Sequence, residues 1–197
     1  VAHLIADICK ETGGGAIVTT DVRQPPMRTA QYYPPDQPNR WLTSGGAGTM
    51  GFGLPSAIGA WFAAKDQEIW AIAGDGGFQM TAAELTTAVQ EGANVKVAIM
   101  NNNFLGMVRQ WQELFYEHNY SSTPLWCPDF IKIAEAYGIP AQNVTKKDDV
   151  VPAIEKEIGQ KLIPMGFDQT IHATASLFGL ILTPILAVLI CYLMHPT

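Results

Sequence analysis

Ile69-Trp70-Ala71-Ile72-Ala73-Gly74-Asp75-Gly76-Gly77 and, further on, Val95-Lys96-Val97-Ala98-Ile99-Met100-Asn101-Asn102-Asn103 decide the fold. Each stretch begins with a short run dominated by Val, Ile and Ala and closes on small or polar residues, the pattern of a buried strand that ends in a turn. Between them, residues 81–91 read as a helix, with Thr81 and Glu84 at capping-box spacing. A helix of that length joining two apolar strands is a βαβ crossover, which demands parallel strands and a right-handed connection. The sheet is therefore expected to be parallel and covered on both faces.

Outward from this unit, the periodicity predicts a helix over 3–11, a strand over 16–20, a Pro-rich loop to about Arg40 and a Gly-rich turn before a helix over 50–64. Residues 105–115, 129–137 and 148–158 read as helices, and 141–144 as a further strand. The expected fold is an α/β, doubly wound, mostly parallel sheet with helices on both faces, plus an apolar C-terminal helix. Two regions are expected: a cofactor-binding domain over 1–158 and a divergent tail over 159–197.

The chain has 197 residues, 48% of them hydrophobic and 15% charged, which excludes disorder. A net charge of −6 and the lack of any Lys/Arg block exclude nucleic acid as the expected partner. Cys9, Cys127 and Cys191 lack the paired spacing of a zinc site or redox dithiol and read as ordinary reduced thiols. The opening residues lack the basic start and apolar centre of a signal peptide, so a piece of a cytosolic protein is expected. The end contrasts with this: the 29 residues from Gln169 to Thr197 carry no formal charge. A candidate transmembrane helix over 171–194 is the direct reading, because 176–194 alone would span about 28 Å as a helix.

In a parallel sheet, ligands bind beyond the carboxyl ends of the strands. Two polar sites follow the strands of the deciding unit: Asp75, and the Asn101-Asn102-Asn103 run. One crossover would bring Asp75 and Asn102 to adjacent strand tips, where a carboxylate and a carboxamide suit a hard cation such as magnesium. Magnesium keeps places for a carbonyl, water and phosphate oxygens, so a diphosphate would complete its shell. Gly76 and Gly77 let main chain approach that anion, and the following helix offers free amides. A plain glycine turn at 74–77 with a second, asparagine-rich turn fits the same spacing.

Ser44-Gly45-Gly46-Ala47-Gly48-Thr49-Met50-Gly51-Phe52-Gly53 contains Gly-x-Gly-x-x-Gly. A nicotinamide or flavin site needs a solid preceding strand, and Arg40-Trp41-Leu42-Thr43 reads as a poor one. These glycines better suit main chain lying against a flat ligand or a neighbouring subunit, with Met50 either among the contacts or a core methionine. Met107, Val108, Trp111, Leu114 and Phe115 form an apolar stripe for which core packing is the default. His3 and His118 read as surface or capping residues.

At these residues the chain resembles the cofactor-diphosphate domain of thiamine diphosphate enzymes, most closely those of the acetolactate synthase type. The fingerprint is Gly74-Asp75-Gly76, 24 intervening residues, then Asn101-Asn102. Residues 41–60 and Leu105-Gly106-Met107-Val108-Arg109-Gln110-Trp111 carry the closer likeness, which covers about residues 1–156. The resemblance implies that Asp75, Asn102 and the Phe104 carbonyl ligate Mg2+. It implies that Gln24, Gly48, Met50, Gly74, Gly76, Gly77, Gly106 and Met107 meet thiamine diphosphate, Met50 holding it bent. Met107, Val108 and Trp111 would shape the substrate pocket. The implied activity condenses pyruvate with a second 2-oxoacid to a 2-acetohydroxyacid, for branched-chain amino acid biosynthesis.

No catalytic residue is expected within this chain, because the family's activating glutamate belongs to a separate pyrimidine-binding domain or partner subunit. The resemblance also implies a homo-oligomer and a cytoplasmic location, with FAD only in the full-length enzyme. Where the family usually reads Gly-Gln-His-Gln-Met-Trp, this chain has Arg23-Gln24-Pro25-Pro26-Met27-Arg28. The prolines remove two backbone donors, and Arg23 or Arg28 would compensate by pairing with phosphate. Two other readings are another thiamine diphosphate-dependent decarboxylase or carboligase, and an inactive cofactor-binding fragment tethered to a membrane through 171–194.

Overall fold

The computed structural model describes residues 2–22 and 24–158. Its strands β1 (Ile17–Thr20), β2 (Trp41–Thr43), β3 (Ile69–Gly74) and β4 (Lys96–Met100) form one parallel sheet in the order β2-β1-β3-β4. The α/β, parallel reading therefore holds. Alternation along the central strands sends Ile17, Ile69, Ala71 and Ala73 to one face, and Val18, Trp70 and Ile72 to the other.

Helices cover both faces. Leu54, Ala57, Ile58 and Trp61 of α3 (Gly53–Ala63) pack on the first, with Phe78 of α4 (Asp75–Thr81) and Leu85 and Ala88 of α5 (Leu85–Glu91). Ile5 and Ile8 of α1 (Ala2–Glu11) pack on the second, with Tyr33 and with Ile154 of α8 (Val150–Ile158). Each such aliphatic side chain contributes roughly 1.5–3 kcal/mol on burial, so a two-sided core forces β1 and β3 to be apolar along nearly their whole length. The polar exceptions on β1 are satisfied: the Thr19 hydroxyl donates to Gly53 O at 2.7 Å, and Thr20 Oγ1 accepts from Trp41 Nε1 at 3.1 Å.

Several local expectations are corrected. The Pro-rich loop is in part a helix, α2 (Gln24–Tyr32). Pro25 and Pro26 fall in its first turn, where an amide has no intrahelical acceptor to lose. Residues 74–77 are not an isolated turn, because α4 begins directly at Asp75.

The helix expected over 81–91 is split by a 3-10 turn at Ala82–Glu84 before α5. No capping box forms there: the Thr81 hydroxyl is buried without a partner, and Glu84 accepts from Thr87 instead. Residues 40–43 do yield a strand, β2, because Trp41 and Leu42 find partners on β1 in parallel register. Residues 141–144 form no strand.

Two further helices lie beyond β4, α6 (Gly106–Phe115) and α7 (Phe130–Ala136). Asp129 caps α7 by accepting from the amides of Ile131 and Lys132. Among the described residues no helix is long and apolar enough to cross a membrane. The tail over 159–197, with its candidate span at 171–194 and Cys191, lies outside them, as does Arg23.

Candidate functional site

Gly74, the last residue of β3, sits opposite Met100 of β4 in the parallel register, so the chain leaves both strands at one edge of the sheet. Asp75 follows at once and is 3% exposed. Its Oδ2 accepts from the backbone amides of Asn102 at 3.0 Å and Asn103 at 2.6 Å, and its Oδ1 from Gly76 at 2.7 Å. The two asparagine side chains shape the second tip. Asn101 Oδ1 accepts from Asn103 N and Asn102 Oδ1 from Phe104 N, while Asn103 adopts φ 58°, a left-handed conformation that asparagine tolerates. The Asp75 carboxylate and the backbone of the asparagine run thus meet at neighbouring strand tips.

Cys127 closes one side: its thiol lies 3.6 Å from Asp75 Oδ2 and accepts from Gln79 Nε2 at 3.5 Å. Burial, followed by the charge of Asp75, pushes this thiol's pKa up and keeps it protonated.

These residues fit a magnesium diphosphate by their donor chemistry. Among the described residues no cluster of three or more His, Cys, Asp and Glu side chains could cage a metal alone. One carboxylate, one carboxamide and a carbonyl, with a lone pair left on Asp75 Oδ1 and on Asn102 Oδ1 beyond the bonds named, are the partial oxygen set that magnesium accepts when phosphates supply the rest.

The glycine cradle fits as well. A Cβ at Gly76 would lie 2.9 Å from Leu125 Cδ1 and 3.2 Å from Leu105 Cδ2, and one at Gly77 would land on the Asp21 carboxylate. A side chain at either position would have to displace these neighbours. The Met50 side chain reaches the same place, its Cε 3.7 Å from where a Gly76 Cβ would stand.

Asp21, Met50, Asp75, Gly76, Asn102 and Phe104 line a cleft of about 810 Å³, bordered also by Gly74, Gly77, Gly106 and Met107. Nine of the sequence-predicted residues therefore share one cavity. Gly48, Val108 and Trp111 do not line it. Gln24 is placed only as the first residue of α2. Arg28, one of the two arginines expected to replace the missing phosphate contacts, is exposed and donates to Gln31 Oε1 of its own helix at 3.4 Å.

The core reading of the α6 stripe is corrected. No α6 residue is buried, and Trp111, Leu114 and Phe115 stand in the open, with Trp111 58% exposed. What holds α6 is polar. The Arg109 guanidinium lies 4.2 Å over the Phe104 ring and donates to Glu113 at 2.9 Å, and the Tyr120 hydroxyl donates to Glu113 at 2.8 Å. The Tyr120 bond first, and Arg109 second, hold the Glu113 carboxyl below its ordinary value.

The residue that sequence reasoning missed is Asp21. It occupies the tip of β1 as Asp75 occupies the tip of β3, and a polar residue directly after a strand was the available signal. It is 2% exposed and accepts from the amides of Gly51 and Phe52.

The strand that a dinucleotide site would need is present as β2, but its glycines do not serve that purpose. Nothing lies within 4 Å of the Cβ positions of Gly46 and Gly48, and Gly51, at φ +80°, packs on Thr81 of α4 rather than on β2.

Comparison with known proteins places these features. The C-terminal thiamine pyrophosphate-binding domain of thiamine pyrophosphate enzymes matches residues 21–165, which carries the likeness past Glu157. The large subunit of acetolactate synthase from Corynebacterium glutamicum is 48% identical over 171 residues, covering 83% of this chain and 27% of that protein. An acetolactate synthase from Mycobacterium leprae is 42% identical over 184 residues, 91% of this chain and 29% of its own length. The mitochondrial acetolactate synthase catalytic subunit of Saccharomyces cerevisiae is 45% identical over 161 residues, 82% of this chain and 23% of its own. The chain thus spans about a quarter of the length of the curated relatives it matches.

Proposed function

The chain belongs to the thiamine pyrophosphate enzymes, as their C-terminal cofactor-binding domain, and from that premise we propose that it holds magnesium and the cofactor's diphosphate in an acetolactate synthase-type enzyme. That enzyme condenses pyruvate with a second 2-oxoacid to a 2-acetohydroxyacid, a step that feeds branched-chain amino acid biosynthesis. The observation that carries this reading is the meeting of Asp75 and the Asn102–Asn103 amides at neighbouring strand tips, beside two glycines whose Cβ positions are closely packed.

In this reading Asp75, Asn102 and the Phe104 carbonyl hold Mg2+, which screens the diphosphate where Gly74, Gly76 and Gly77 present backbone to it. Met50 and the main chain at Gly48 hold the organic part bent, Gly106 and Met107 border it, and Gln24 is a further contact. The cofactor supplies a carbon centre able to take up the electron pair released by decarboxylation. Met107, Val108 and Trp111 face the acceptor 2-oxoacid.

Residues of this chain bind and orient. The proton chemistry that activates the cofactor comes from a pyrimidine-binding domain on a partner subunit of a homo-oligomer, and FAD belongs to the longer enzyme alone.

Calorimetric titration of the full chain tests this. Thiamine diphosphate is expected to bind with Mg2+ present and to be released by a chelator. Asp75→Asn keeps an acceptor for the backbone amides and loses the charge, and is expected to weaken magnesium-dependent binding by more than about tenfold, or at least ~1.4 kcal/mol. Undiminished affinity in that variant removes Asp75 from the metal. Absence of binding in the wild type leaves an inactive fragment as the reading.

A further inference from the structure

Asp21 is joined to three of the segments around the cofactor cleft: the glycine-rich segment, β3 and the start of α4. Its Oδ1 accepts from the amides of Gly51 at 2.7 Å, Phe52 at 3.2 Å and Val22 at 3.1 Å. Its own amide donates to Ile72 O at 2.9 Å, fixing it to β3. The carboxylate also packs on Gly77, at the start of α4, and a Cβ at Gly53 would lie 3.1 Å from Asp21 N.

The glycine-rich segment needs such an anchor. Nothing lies within 4 Å of the Cβ positions of Gly45, Gly46 and Gly48. The bonds that Ser44 makes to Gly48 and Thr49 are local, and Gly51 turns the chain through a left-handed φ of +80°. β2 and α3 tie the two ends of this segment to the sheet, and between them Asp21 bonds it at Gly51 and Phe52. Backbone bonds to an ionised acceptor are shorter and stronger than neutral ones, and the 2.7 Å bond from Gly51 adjoins Met50, whose side chain reaches over Gly76.

Resting on the cofactor reading above, we propose that Asp21 is a positioning residue: by clamping the Gly51 and Phe52 amides it holds Met50 over Gly76 and so sets the half of the cleft that receives the organic part of the cofactor. The diphosphate half is held by its own hydrogen bonds from Gly76, Asn102 and Asn103 to Asp75, and it meets the clamp where the Asp21 carboxylate packs on Gly77. Asp21 therefore governs recognition of the whole cofactor over its inorganic fragment.

The test uses the full chain as wild type, Asp21→Ala and Asp21→Asn, first without ligand. Amide hydrogen exchange at Gly51 and Phe52 is expected to quicken about tenfold or more in Asp21→Ala while the β3 amides keep their protection. Asp21→Asn, whose carboxamide oxygen still accepts, is expected to restore much of it. Titration with magnesium and thiamine diphosphate is then expected to show about tenfold weaker binding in Asp21→Ala, with magnesium pyrophosphate bound within about threefold of wild type.

Unchanged exchange at Gly51 and Phe52 overturns the proposal, and so does equal weakening for both ligands, which marks general damage to the fold. A wild type that binds neither ligand refutes the cofactor reading instead, and the exchange measurement then decides the clamp by itself.

Discussion

Tyr33 is the largest fully buried side chain among the described residues, and its hydroxyl donates to Ala16 O at 2.7 Å. Burial, ahead of the nearby Cys9 thiol, pushes its pKa up to about 12. A raised folded-state value means that the folded protein holds this proton more tightly. The contribution to stability is thus complete below the ordinary tyrosine value near 10 and is lost as pH rises through about 12. Titration of tyrosinate absorbance is expected to show a late step that coincides with loss of secondary structure, and Tyr33→Phe is expected to abolish that step while costing about 1 kcal/mol in urea denaturation. A Tyr33 that ionises with the exposed tyrosines refutes the assignment. Of the residues at the candidate site, Asp75 and Asn102 were legible because they lie within two residues of the ends of unmistakable strands. Asp21 was not, because its strand is followed by a proline pair that drew the reading toward a loop, and its worth lies in amides 30 and 31 positions away.

Among the elements, α6 shows how far periodicity can mislead. Its apolar stripe has helical spacing and forms a helix, yet it is not core: Met107 and Val108 are half-buried, and Trp111, Leu114 and Phe115 are exposed. Spacing sets which residues share a face; only a neighbouring surface makes that face core. Trp111→Leu is accordingly expected to change stability by less than about 0.5 kcal/mol in denaturant titration. In enzyme completed with a pyrimidine domain it is expected to shift the product ratio between pyruvate and 2-oxobutyrate as acceptors. A larger stability loss with an unchanged product ratio would return the ring to a packing role. α2 misleads in the opposite direction, since two adjacent prolines suggest a loop until the helix is seen to begin beside them.

For the molecule as a whole, the proposed reading seats the cofactor at one edge of a parallel sheet that has helices on both faces, and takes the activating base from a separate pyrimidine-binding domain. The chain alone is expected to bind magnesium and thiamine diphosphate and to form no 2-acetohydroxyacid from pyruvate. A pyrimidine-binding domain from a related synthase, supplied in trans, is expected to restore turnover by at least about tenfold over that domain alone. Product formed by the isolated chain would show that it carries its own activating base.

The amino-acid sequence by itself determined the parallel α/β fold, the adjacency of β3 and β4, and the meeting of Asp75 with the asparagine run, because a crossover of that length permits one arrangement. Only the tertiary structure decided that residues 40–43 pair as a strand, that α6 stands uncovered, and that Asp21 ties the glycine-rich segment to the sheet. The physical reason is range. Strand pattern and crossover length act along a short stretch of chain, whereas a three-residue strand, the cover over a helix face and a carboxylate bonded to distant amides exist only once remote segments have come together.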